Sequence, residues 1–260
     1  MSGELYLDYN TVIHRLDART KILLFVLAFI ALVLFEDPLW MLPVALLLLL
    51  QTALARSWPN LWRIRFLLMV LTITGVLMWN VFASGATKLW WFFDLESLKF
   101  SIARTMLILM MIDTGVNLIS TTRNEELVLG MIRLGLPYRV GFAISTALRL
   151  VPTIASSLAT ISQAQASRGL DLQSGSILER LRKYLPLLIP VFISTIRNTN
   201  IFGMALESKG FGAREDRTFY LQLHMTHVDR AVLIFGTLFT LASIVLKVMG
   251  YGNIPGLARF

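Results

Sequence analysis

The sequence predicts an all-α integral membrane protein, with about five transmembrane helices and further long helices in the cytoplasm. Three observations carry this. The first is composition: 56% of the 260 residues are apolar, 15% are charged and the mean hydropathy is +0.68. A soluble domain carries about 25% charged residues, and intrinsic disorder needs low hydrophobicity with high charge, so both classes are excluded. The second is a series of apolar runs of membrane-helix length. The third is the placement of the cations that give the chain its formal net charge of +8. Three lie in residues 1–21, three in 56–65 and 13 in 121–230, so 19 of 24 fall on one side of a five-span topology. That excess follows the positive-inside rule and not a nucleic-acid-binding face, and no nucleic acid partner is expected.

Residues 1–21 hold Glu4, Asp8, His14, Arg15, Asp17, Arg19 and Lys21 and no leading apolar core, so no signal peptide is expected there. Ile22 to Phe35 and Leu39 to Leu50 are apolar runs separated by Glu36-Asp37-Pro38. Pro38 cannot continue a helix. Basic residues flank both outer ends, so the runs read as a hairpin with cytoplasmic ends and an acidic outer tip. Phe66 to Ala83 is a third span. Trp90, Trp91, Phe92 and Phe93 follow, as an interfacial aromatic belt would. The fourth span is Ser101 to Ser120, with Asp113 and Asn117 inside it, and the fifth is Ala231 to Met249.

Between the last two spans the composition changes. Residues 121–230 hold the 13 cations yet remain rich in Leu, Ile and Ala, which suits cytoplasmic or interfacial amphipathic helices. The chain thus divides into residues 1–120 (N-terminal segment and four membrane helices), 121–230 and 231–260 (last membrane helix and tail). Segments 140–162 and 185–206 are apolar enough to span, but spanning would place Arg168, Arg180, Arg182 and Lys183 outside. A short helix is expected over 124–134, a long one from Tyr138 to Arg168 with a kink at Pro152, and another starting at Pro190. The ends of the long pair repeat: Ala166-Ser167-Arg168-Gly169-Leu170 and Glu207-Ser208-Lys209-Gly210-Phe211, with the cations 41 residues apart. A cation beside a terminal glycine is an ordinary helix stop. Two of them, with the same flanks, also suit docking into polar or acidic grooves on a partner.

These ends resemble the two Ala-Arg-Gly-type motifs of the transmembrane coupling (T) components of energy-coupling factor (ECF) transporters. His14-Arg15-Leu16-Asp17-Ala18-Arg19-Thr20-Lys21 resembles that family's N-terminal segment, with Ala18 where proline is usual. Leu148-Arg149-Leu150-Val151-Pro152 resembles the stretch that begins its first coupling helix, and Ala205 to Phe211 resembles its second motif with lysine for arginine. Lysine keeps the charge and loses the planar fork. The resemblance implies a multi-pass protein of the cell membrane with a cytoplasmic N-terminus. It implies a non-catalytic subunit that joins two ATP-binding-cassette ATPases to a substrate-binding membrane (S) component for vitamin or transition-metal uptake. It also implies an ATPase-docking set of Ala166, Ser167, Arg168, Gly169, Glu207, Ser208, Lys209 and Gly210, and no cofactor.

Other chemistries find little in the sequence. There is no G-x-x-x-x-G-K-[ST], no H-E-x-x-H, no G-x-S-x-G and no cysteine. His224 and His227 are spaced for a metal on a helix but lack an evident third ligand. An intramembrane enzyme would need paired acids or a Ser/His pair in the spans, and only Asp113 is available. A self-contained secondary transporter would show inverted repeats at the midplane, whereas this repeat is parallel and cytoplasmic.

Overall fold

The computed structural model describes residues 6–82, 88–90, 93–171, 176–213 and 223–254. Its elements are α1 (Ala18–Leu34), α2 (Pro38–Ala55), α3 (Trp58–Arg63), α4 (Arg65–Phe82), β1 (Lys88–Trp90), β2 (Phe93–Asp94), α5 (Leu95–Thr121), α6 (Asn124–Arg133), α7 (Tyr138–Ser167), α8 (Ile177–Ser208) and α9 (His227–Val248). The two strands form a minimal antiparallel ladder. Trp91 and Phe92 of the expected aromatic belt lie outside the described residues.

The all-α membrane class holds. Among the described residues, six helices are long and apolar enough to cross a membrane: α2, α4, α5, α7, Lys183–Ser208 of α8, and α9. The set includes α7 and α8, which the sequence reading assigns to the cytoplasmic or interfacial stretch, and omits α1, which has 17 residues. The reason is continuity. α7 runs through Pro152, and α8 runs through Pro186 and Pro190, so each keeps a long apolar window. Pro190 therefore does not start its helix, which begins at Ile177. The two prolines stand one turn apart, which confines the missing N–H donors to one short stretch.

Chain contacts divide the protein into two compact units, Met1–Pro137 with Leu223–Phe260, and Tyr138–Gln222. In the first, α5 is the axis and packs against α4, α2, α1 and α3, while α1 also packs on α9 and α6. Ala31, Leu32, Phe35, Met41, Val44, Leu48, Ala103 and Leu107 form the core among α1, α2 and α5. Pro38 is the first residue of α2, behind the Asp37 cap, where proline's missing N–H costs nothing.

Polar groups fasten this apolar bundle. Asp113, Asn117 and Ser120 recur at i, i+4 and i+7 on one face of α5. Thr52 Oγ1 lies 2.9 Å from each carboxylate oxygen of Asp113, and Asn117 Nδ2 donates to Thr52 Oγ1 at 2.6 Å. Ser57 donates to Asn117 Oδ1, and Asn60 Nδ2 donates to Ser120 Oγ at 2.7 Å. All six residues are buried, so Asp113 is a structural acid that ties α5 to α2.

A second fastening uses residues 14–21. Asp17 caps α1, accepting from the Arg19 N–H at 2.9 Å, and its own N–H donates to Asp229 Oδ1 at 2.8 Å. Ala18 is then the first helical residue, a position that alanine and proline both suit. Asp229 Oδ2 accepts from the Thr226 N–H at 2.8 Å and the Thr226 hydroxyl at 2.5 Å, completing a capping box on α9. Lys21 Nζ donates to Thr121 O at 2.7 Å and His14 O at 3.0 Å, so its cation closes the carbonyl end of α5. Burial holds the His14 imidazole below its ordinary pKa.

Asp229→Ala removes the acceptor of three donors and is expected to destabilise the chain by about 2–4 kcal/mol, read as a lower Tm in detergent. Asp229→Asn keeps one acceptor oxygen and should lose less. Equal melting of wild type and Asp229→Ala would contradict the clasp.

Candidate functional site

The paired ends of α7 and α8 close by one and the same backbone arrangement. At the end of α7 the Leu170 N–H donates to Gln165 O at 3.0 Å and the Gly169 N–H to Ala166 O at 2.9 Å. At the end of α8 the Phe211 N–H donates to Leu206 O at 3.0 Å and the Gly210 N–H to Glu207 O at 2.9 Å. Each is a Schellman cap. It requires the glycine to enter the left-handed region, and φ is +91° at Gly169 and +71° at Gly210.

The cap itself is not distinctive. α6 ends the same way at Gly135, and α9 at Gly250. What differs is the residue before the glycine: Leu134 and Met249 there, Arg168 and Lys209 here. Both cations are exposed, as are Ala166, Ser167, Gly169, Glu207, Ser208 and Gly210. The hydroxyls of Ser167 and Ser208 donate back to Gln163 O at 3.1 Å and Ala205 O at 2.9 Å. The serines therefore complete their own helix ends, and the cations are left as the outward chemistry.

The two ends lie far apart within their unit. The Phe211 ring stands 4.5 Å from that of Phe142 and 6.4 Å from that of Tyr138, at the start of α7. The α8 end is therefore anchored on the first turns of α7. Arg168 lies 26 residues beyond Phe142, which at about 1.5 Å per residue puts the two cations on the order of 35 Å apart.

A model of the cobalt transport protein family, CbiQ, matches residues 9–220. The chain belongs to this family. Over most of its length it is also similar to curated proteins named energy-coupling factor transporter transmembrane protein EcfT. That of Staphylococcus aureus is 32% identical, covering 96% of this chain and 97% of the relative. That of Thermosediminibacter oceani is 30% identical, covering 93% and 96%, and that of Acidaminococcus fermentans is 30% identical, covering 95% and 96%. The protein is a T component of an ECF transporter, a multi-pass membrane subunit of a transport system.

In this T component the sequence singles out the Arg168 and Lys209 ends but misses their aromatic anchor. Its signal is in the sequence: a large apolar residue directly after Gly210, and Tyr138 and Phe142 one turn apart at the start of α7. Arg214 and Arg217 lie outside the described residues. His227 opens α9, and among the described residues no group of three or more metal-ligating side chains converges.

Gly169→Ala meets no neighbouring atom within 4 Å, so its cost is backbone strain alone, about 1–2 kcal/mol. The Leu170 amide should exchange roughly 5–30-fold faster in hydrogen–deuterium exchange. Gly203→Ala, with equally open space inside α8, should not speed exchange; equal acceleration by both would contradict the cap.

Proposed function

We propose that this T component couples ATP hydrolysis by two ATP-binding-cassette ATPases to movement of a separate substrate-binding S component, in vitamin or transition-metal uptake. The observation that carries the reading is the pair of exposed cap cations, Arg168 and Lys209, on matching helix ends at opposite extremes of one antiparallel pair. Two ends of like chemistry, set well apart on stiff helices, suit two like grooves on two like subunits. A cation at a helix C-terminus is held by the dipole and offered outward.

The rest of the pair suits transmission. Val140, Ile144, Leu148, Val151, Ile154 and Leu158 lie along one side of α7 at helical spacing, and all are exposed. That stripe is an apolar face for the S component. The cation distribution supports a cell-membrane protein with its N-terminus and these helix ends in the cytoplasm. On this reading the subunit is non-catalytic: nucleotide is bound by its partners, and the S component sets the substrate. The resemblance-derived docking set, from Ala166 to Gly169 and from Glu207 to Gly210, then divides into two charged contacts and the backbone frame that presents them.

Arg168→Glu together with Lys209→Glu should release the ATPases during detergent co-purification while the chain keeps its Tm. Each single change should release them in part, and Arg168→Glu more than Lys209→Glu, since the guanidinium offers more donors. Undiminished ATPase recovery with the double variant would refute the docking role.

A further inference from the structure

A small cavity of about 10 Å³ lies between α1, α2 and α5, within the first unit. Lys21 and Phe25 line it from α1, Gln51 from α2, and Thr114, Leu118 and Thr121 from α5. Four of these six side chains are polar, and Lys21, Thr114 and Thr121 are each more than nine-tenths buried. The core of the same three helices is hydrocarbon. A polar group left unpaired in such surroundings is costly.

The hydrogen-bonding capacity at the cavity can be counted. An ammonium group has three N–H donors and no acceptor. Lys21 Nζ gives one N–H to Thr121 O at 2.7 Å and one to His14 O at 3.0 Å, and keeps a third. Each threonine hydroxyl has a single hydrogen. Thr114 Oγ1 donates its own to Met110 O, and Thr121 Oγ1 donates to Asn117 O at 2.7 Å. Both threonines are therefore left with lone pairs only. Gln51 makes no hydrogen bond to a described residue, so its amide keeps an acceptor oxygen and two N–H donors.

Size and chemistry together select the occupant. The volume is the room of a single water-sized species. A cation is opposed by the Lys21 ammonium. An anion would meet the lone pairs of two threonines, and the acids Glu126, Asp229 and Asp17 already act on the lysine. An apolar atom would leave the third N–H unpaired. Water offers an acceptor to the lysine and two donors to the remaining oxygens, and a buried water needs two to four such partners.

We propose that this cavity is the seat of one ordered water. Its oxygen accepts the third N–H of Lys21, and its two hydrogens go to Gln51 Oε1 and to the hydroxyl oxygen of Thr114 or Thr121. The water completes the partners of the buried cation. It also brings α2 into the fastening that Lys21 makes between residues 14–21 and the end of α5. The seat belongs to the membrane unit and does not depend on the coupling reading of α7 and α8.

The test is a crystal structure of the full chain at about 2 Å resolution, grown in bromide, in which density is expected about 3 Å from Lys21 Nζ and within the same reach of Gln51 and Thr114 or Thr121. That density should carry no bromine anomalous signal. Gln51→Leu should lose it and lower the Tm in detergent, because the third N–H of Lys21 is left without a partner. Thr114→Val removes one of two alternative acceptors, so it should keep the density and melt closer to wild type. A bromine peak in the cavity would overturn the proposal in favour of an anion. Gln51 bonded directly to Lys21 Nζ, a cavity without density, or an unchanged Tm in Gln51→Leu would each overturn it as well.

Discussion

Each helix leaves four N–H groups at its start and four carbonyls at its end without partners, and in hydrocarbon an unpaired peptide group costs several kcal/mol. The architecture of this protein follows from how those ends are satisfied. Asp17, Asp37 and the Thr226–Asp229 box close the starts of α1, α2 and α9. Lys21 closes the end of α5, and glycines close α6, α7, α8 and α9. Several closures are shared between helices: Asp229 serves α9 and the segment before α1, and Lys21 joins that segment to α5. The caps are therefore also the cross-links of the first unit. They do in a membrane bundle what the hydrophobic effect does in water, where lipid tails give apolar side chains no preference for one another.

The same constraint gives the second unit its chemistry. A Schellman cap needs only a glycine and two backbone hydrogen bonds, and it leaves the preceding side chain free to point outward. In α6 and α9 that position holds an apolar residue; in α7 and α8 it holds a cation. In the proposed docking, a stop signal becomes a contact point through one side chain. The long reach of α7 and the anchoring of Phe211 on Tyr138 and Phe142 then set the two cation-bearing ends at opposite extremes. Stiffness along a helix, with small contact areas at its ends, is what a transmitting lever requires.

Much of this was legible in residue order. The apolar runs located α2, α4, α5 and α9 within a few residues. The glycines at 169 and 210 marked helix ends, because few other residues enter the left-handed region easily. Two features were not legible. Pro190 reads as a helix start, yet α8 passes through it and through Pro186, because a long helix tolerates missing donors confined to one turn. The Thr52–Asp113–Asn117–Ser57 network joins residues about 60 positions apart, and local pattern carries no information on such pairing. An acid within a span signals a buried partner without naming it. The resemblance of residues 14–21 to a family segment likewise pointed to importance but not to its physical basis, which is the closing of α1 and α5 and the tie to the Asp229 cap of α9.

The most direct measurement uses the absence of cysteine in this chain. Spin labels at Ser167→Cys and Ser208→Cys report the separation of the two helix ends by pulsed electron paramagnetic resonance, free of background labelling. The antiparallel lever requires a separation on the order of 35 Å in the T component alone, and a distribution that shifts between ATP-bound and ADP-bound states once the ATPases are docked. A separation below about 20 Å, or a distribution identical in the two nucleotide states, would contradict it.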